Sequence, residues 1–509
     1  MKKKWLLLIP IVAVTLCGCS FLKRLIFGEE DSQPAPIHYN YPDPVVQPDV
    51  PGRSIVESFS YNLKDVGATT GYYPLNSTGD AKLLVVPVQL RNSSYTWSGY
   101  MRNEIEKCFF GQTSDVGWES VSSYYKKSSY GKLNIIGEVA PTFTSNYTYS
   151  EINAFEQPDE KIVEEFEQSS TYNALKYSYD TDSNGLIDSV AFIYAEPINV
   201  SSTDMRWWAF VNIKNFVAQA DKPPVVNHYM WASYYFSQTR TVSNPHGGKY
   251  YLDAHTYIHE SGHLLGLDDY YSYVDNNAYD PSGGQEMHSQ NIGDENIYSK
   301  LALGWIKPYY VKTTSSVTTT LYASSYYGEY NAIIINDNWD MRSPMAEYLV
   351  LEFYSPTVLN QKDSESEYAK NARMFQTSGF RLYHVDSRLV AYSNTNTFVS
   401  RLNDIDPNYR NYIGASNSPS EKRSRLPSAY EITNYKLLHM IQAGGVNTFK
   451  NSAKASDADL FKAGQSFVAS SAFFANGTKF NAGNEVGYRI SIDSIDEANM
   501  NGTVTITKI

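Results

Sequence analysis

His259-Glu260-Ser261-Gly262-His263, continued as Leu264-Leu265-Gly266-Leu267-Asp268-Asp269, decides how this chain is read. The histidines are four apart, so on an α-helix both rings leave one face within reach of a single ion. Glu260 lies one position round the helix, where its carboxylate can hold a water rather than the metal. This is the HExxH arrangement of zinc hydrolases, in which Zn²⁺ acidifies a water and the glutamate removes its proton. Gly266 can end the helix in a left-handed conformation and return the chain, with Asp269 three residues on. The helix is expected to start near Asp253 as N-cap, with Ala254, Ile258 and Leu265 on its core side.

A catalytic zinc takes three protein ligands, so a third must join His259 and His263. Asp269 is the leading candidate, because it stands where longer HExxHxxGxxH-type motifs carry their last ligand. Its rivals are Asp268, Glu286, Glu295, His255 and His288. Three ligands from one straight helix fit a tetrahedron poorly, which places His255 at the rim or behind a ligand. Met287, after the turn Pro281-Ser282-Gly283-Gly284, is expected to form an apolar floor under the metal. Tyr270, Tyr271, Tyr298 and His288 are the candidate donors to an oxyanion.

A second metal signal is Asp180-Thr181-Asp182-Ser183-Asn184-Gly185-Leu186-Ile187-Asp188. Oxygens from Asp180, Asp182, Asn184 and Asp188, with glycine in sixth place, match a structural calcium loop. The bidentate glutamate that closes such loops is missing, since Ala191 occupies its place. An Asx-rich turn that merely starts a strand is the alternative reading.

The N-terminus reads as a targeting device. Lys2, Lys3 and Lys4 precede an apolar run from Trp5 to Leu16, which ends in Leu16-Cys17-Gly18-Cys19, a sequence resembling a bacterial lipobox. The expectation is a signal peptide over 1–18, a lipidated Cys19 and an extracytoplasmic, membrane-anchored bacterial lipoprotein. Pro34, Pro36, Pro42, Pro44, Pro48 and Pro51 mark a tether, assigned to residues 19–75. With a formal net charge of −12 and no basic run in the body, the chain lacks a nucleic-acid footprint. Of its three cysteines, two sit at the lipobox, so no disulfide framework is available and Cys108 is expected to be a small buried apolar residue.

The run Leu83-Leu84-Val85-Val86-Pro87-Val88-Gln89-Leu90 predicts a strand buried on both faces. Helices are expected around Trp118–Lys127 and Glu160–Gln168, and strands after Tyr130 and over Ser189–Tyr194. Beyond Trp305 the texture turns to short alternating runs such as Tyr348–Glu352, Phe380–Val385 and Tyr488–Ile492. The fold class is therefore α+β: a domain over 76–310 that carries the zinc-hydrolase motif and a mostly β, sandwich-like region over 311–509. Residues 400–430, polar and proline-bearing, read as a long loop.

His259-Glu260-x-Gly262-His263-x-Leu265-Gly266-Leu267-x-Asp269-x-Tyr271 is accompanied by Met287, Asn291-Ile292-Gly293-Asp294, Tyr298-Ser299-Lys300 and Leu303-Gly304-Trp305. With Ser128-Ser129-Tyr130-Gly131-Lys132-Leu133 upstream and Tyr383-His384-Val385-Asp386 downstream, this pattern resembles the immune inhibitor A family of exported bacterial metallopeptidases. The likeness spans most of residues 80–390. It implies a zinc endopeptidase of metzincin-like topology followed by β domains, acting on protein or peptide substrates. Asp268 departs from the family's usual proline, and Glu286 and His288 flank Met287 unusually. Two other functions stay open on the sequence: a decayed adhesion or binding lipoprotein, and a zinc amidase acting on a non-protein substrate.

Overall fold

Leu83 and Val85 point to one side of their strand while Leu84, Val86 and Val88 point to the other, and all five are fully buried. That strand needs cover on both faces, and the computed structural model shows how it obtains it. The structure describes residues 44–45, 47–197, 205–214, 217–238, 252–272, 280–289, 291–339, 341–368, 373–395, 397–418 and 435–509.

The chain enters the fold with strand β1 (Arg53–Ile55) and helix α1 (Leu63–Thr70). The central strand is β2 (Gly79–Gln89), followed by α2 (Gly99–Phe110), α3 (Val121–Ser128), β3 (Leu133–Val139) and α4 (Pro158–Phe166). Then come β4 (Val190–Tyr194), β5 (Phe210–Ile213), β6 (His228–Ser233) and the HExxH helix α5 (His255–Leu264). The sheet order is β3-β2-β4-β6-β5, parallel throughout except for β5, which runs antiparallel at the edge. Helices α2, α3 and α5 contribute Ile105, Phe109, Val121, Tyr124, Tyr257 and Ile258 to the core on one face. On the other, α4 supplies Ile162, Val163 and Phe166.

After α6 (Ile297–Ala302) the regular elements among the described residues are mostly strands: β7 (Lys307–Val311), β8 (Ser316–Tyr322), β9 (Glu329–Ile335), β10 (Glu347–Tyr354), β11 (Gly379–Asp386), β12 (Leu389–Tyr392), β13 (Phe398–Arg401), β14 (Arg410–Ile413), β15 (Leu438–Ile441), β16 (Ser466–Val468), β17 (Tyr488–Asp496) and β18 (Asn501–Lys508). A six-stranded sheet, β1-β7-β9-β10-β11-β15, faces a four-stranded one, β8-β18-β17-β16. Between them lie Ile333, Ile335, Leu349, Leu351 and Phe380 from the first sheet, with Ile490, Ile492, Val504 and Ile506 from the second. Period-two alternation sends Ile334, Tyr348, Val350 and Tyr383 to the opposite face, where they join the core under α5. The protein is thus mixed α+β with strands predominating.

Two sequence boundaries move. The tether assigned to residues 19–75 ends before Arg53, because β1 pairs with β7 and α1 is a capped helix. Asn62 and Asp65 form a reciprocal capping box at its start, which the count of prolines concealed. Residues 400–430 are not one loop either, since β13 and β14 flank β12 in a small sheet. The lipobox and the apolar run before it lie outside the described residues. Among the described residues no helix is long and apolar enough to cross a membrane. Cys108 is buried, as expected of a small apolar residue, and burial raises its thiol pKa well above the ordinary value, which disfavours the thiolate.

Candidate metal centre

Helix α5 starts two residues after the expected cap, and Asp253 still serves it by accepting the His255 backbone N–H at 2.9 Å. Ala254, Ile258 and Leu265 are buried beneath it, leaving His259, Glu260 and His263 to face a cleft. Gly266 then takes φ +98°, and the reversal directs Asp269 back toward the helix. One carboxylate oxygen of Asp269 lies 3.0 Å from His259 Nε2 and 3.4 Å from His263 Nε2.

Both imidazoles are aimed by their second nitrogens. His259 Nδ1 is 2.9 Å from the Met287 carbonyl, and His263 Nδ1 is 2.8 Å from the Leu267 carbonyl. A carbonyl only accepts, so each Nδ1 carries a proton and each Nε2 is the nitrogen turned toward Asp269 and the cleft. Glu260 is 6% exposed, and its Oε2 has no hydrogen-bond partner among the described residues. A buried, unsatisfied carboxylate oxygen beside two aimed imidazoles and a third anionic donor suits a divalent ion with a polarised ligand. Two nitrogens and one carboxylate oxygen are a donor set that fits a divalent ion such as zinc.

Each rival for the third ligand has a different occupation. His255 donates through Nε2 to the Asn291 carbonyl at 3.0 Å, and burial pushes its pKa down to about 3. Glu286 accepts from the Asn296 amide, and Glu295 lies beside His288. Asp268 lines the cleft but does not join the donor group. That group, the one such gathering among the described residues, consists of His259, His263, Asp269 and His288. His288 is the residue whose role the sequence undervalued. Its ring centroid lies 4.9 Å from that of His259 and 5.2 Å from that of His263. Met287 contributes its carbonyl to His259, so the floor beneath the pair includes an imidazole beside the expected methionine.

Gly262 explains how His288 comes so close. A Cβ there would sit 2.0 Å from His288 Nε2 and 2.9 Å from the Tyr125 hydroxyl. Gly262→Ala is expected to destabilise the protein by about 1–3 kcal/mol through overpacking, seen as a lower denaturant midpoint with unchanged slope. An unaltered midpoint would show that the floor yields freely.

Burial opposes charge on His263, yet the Asp269 carboxylate outweighs it and lifts the pKa to about 10. Burial likewise works against His259, and Asp269 again raises it. The metal-free site therefore holds protons that an ion must displace. Metal affinity is expected to strengthen as pH rises toward that value and to weaken below it. Titration calorimetry in buffers of different ionisation enthalpy should record proton release, and a pH-independent affinity would contradict it.

The cleft encloses about 930 Å³, and its walls come from distant parts of the chain. Edge strand β5 supplies Phe210 and Val211, α1 supplies Leu63 and Val66, and β14 supplies Tyr412 and Ile413. Sequence reading placed α1 in a tether and β14 in a loop, and neither carries a local signal of function. Of the four oxyanion candidates only Tyr271 lines the cleft. Tyr270 is fully buried with its hydroxyl on Ser299, and Tyr298 and His288 are buried too.

The 180–188 loop behaves as an Asx-rich turn. Asp180 accepts the Asn184 and Gly185 amides, Asp182 accepts Asn184, and Asp188 accepts the Thr181 amide and hydroxyl. Its carboxylates do not gather into a donor group, so the geometry gives the calcium expectation no support. The hydrogen bonds account for the turn and for the strand that follows. No family model matches the chain, and no curated protein matches it.

Proposed function

We propose that the protein is a zinc metalloendopeptidase of metzincin-like topology, as the resemblance to the immune inhibitor A family implies. The observation that carries this reading is the convergence of His259, His263 and Asp269 beside the unpartnered Glu260 Oε2 in one cleft. When bound, zinc would polarise the scissile carbonyl and acidify a water. Glu260 would take a proton from water held in the cleft and return it to the departing amine. Burial raises its pKa and the two imidazoles oppose the rise, a balance suited to a group that must both accept and release a proton. Of the candidate donors Tyr271 is the one that lines the cleft, which favours it as the group beside the developing oxyanion.

Strand β5 supports a peptide as substrate. Its outer edge pairs with no strand among the described residues, so an extended chain can add to it by main-chain hydrogen bonding. Phe210, Val211, Leu63, Val66 and Ile413 surround that path, and no lysine or arginine lines it. Uncharged, apolar side chains next to the scissile bond fit such walls best.

The test is digestion of casein by the full-length protein, with cleavage sites read by mass spectrometry. Cleavage beside apolar residues, stopped by a chelator and restored by zinc, is the expected result. Intact casein in the presence of stoichiometric zinc would overturn the peptidase reading.

The N-terminal sequence supports a surface-tethered lipoprotein. Cys19→Ser should release the protein from membranes or leave an unprocessed precursor. Unchanged fractionation and mass would point to an uncleaved anchor instead.

A further inference from the structure

His288 poses a problem that the three-ligand site leaves unsolved. It is fully buried, and neither ring nitrogen has a hydrogen-bond partner. A buried imidazole without partners forfeits the hydrogen bonds it had in water, so a ligand or proton acceptor is expected at those nitrogens. Its Nε2 lies 3.5 Å from Glu295 Oε1. Glu295 is buried as well, and its Oε2 has no hydrogen-bond partner. A ring nitrogen of His288 also lies within 4.8 Å of the donor atoms of His259, His263 and Asp269.

We propose that His288 is a fourth protein ligand of the metal, bound through one ring nitrogen while Glu295 accepts the proton on the other. The assignment rests on the metal centre described above and not on the reaction it performs. The three rings stand 4.9, 4.9 and 5.2 Å apart between centroids. Three imidazoles bound to one ion at about 2.0–2.1 Å, at tetrahedral angles, have centroids about 5 Å apart. A carboxylate behind a metal-bound histidine is the usual means of setting the tautomer and orienting the ring.

The surrounding chain holds His288 in place at some cost. Glu286, two residues before it, adopts φ +73°, unusual for a residue with a side chain, and Gly283 and Gly284 before that are also left-handed. The resulting turn delivers the Met287 carbonyl to His259 and the His288 ring to the same ion site. The absence of a side chain at Gly262 leaves the space that the ring occupies. With four protein groups on the metal, a substrate or water enters as a fifth, a coordination number that catalytic zinc sites reach.

X-ray absorption spectroscopy on the zinc-loaded full-length protein tests this without any variant. Multiple scattering from three imidazoles is expected, and from two in His288→Phe, whose ring retains the packing. Competition with a chelator should show zinc affinity about 10–100-fold weaker in His288→Phe, and a loss within the same range in Glu295→Gln. Glu295→Gln leaves the ring in place, so it serves if the phenylalanine variant fails to fold. Two imidazoles in the wild-type spectrum would overturn the assignment while leaving the His259, His263 and Asp269 centre intact. Absence of stoichiometric zinc in the wild type would overturn both.

Discussion

Glu260→Gln is expected to bind one equivalent of zinc and to cleave casein about 10²–10⁴-fold more slowly. The amide keeps the volume and position of the carboxylate but cannot take a proton. In the structure Glu260 makes no contribution to the donor group, whose members are His259, His263, Asp269 and His288. Its Oε2 has no hydrogen-bond partner to lose, so the substitution leaves no stranded donor behind. Removing a buried carboxylate relieves a desolvation cost but also forfeits its attraction to the two imidazoles, so the stability of the metal-free protein should change little. Metal analysis and kcat together decide the matter. Zinc lost along with activity would show that Glu260 holds the site together instead of serving as its base.

Asp269→Ala is expected to weaken zinc binding by at least tenfold and to abolish proteolysis. Burial opposes the charge of Asp269, but His263 and His259 hold its carboxyl well below the usual range. It is thus an anion in the position where one oxygen reaches both imidazoles. Alanine removes that donor and leaves two or three neutral nitrogens around a divalent ion. Asp268→Ala is the control: its side chain lines the same cleft one residue earlier, outside the donor group, so zinc stoichiometry should stay near one. Equal zinc loss in the two variants would mean that local charge, not ligation, is what the ion requires. Glu286→Ala should also retain zinc, since its carboxylate is taken up by Asn296.

The spacing His259–Glu260–His263–Gly266–Asp269 was legible because a helix and a left-handed glycine translate sequence separation directly into direction. The buried run Leu83–Leu90 was legible for the same kind of reason, as was the alternation in β10, β11 and β17. Local periodicity cannot show what covers a site from far away. Leu63 and Ile413 line one cleft although 350 positions separate them. Prolines before residue 53 drew α1 into the tether, and the polar composition of 400–430 hid β14.

Taken alone, the sequence determined the helix, the pair of imidazoles it presents, the carboxylate beside them and the strand-rich second half, because these depend on neighbours within a few residues. The third donor was already a ranked choice on spacing, and the structure places its oxygen beside both Nε2 atoms. Only the tertiary structure brings His288 up to the three other donors, since that follows from Gly262 leaving room and from Glu295 standing beside the ring. It also decided the shape of the cleft, because α1, β5 and β14 meet there through burial of apolar surface, a force with no memory of order along the chain.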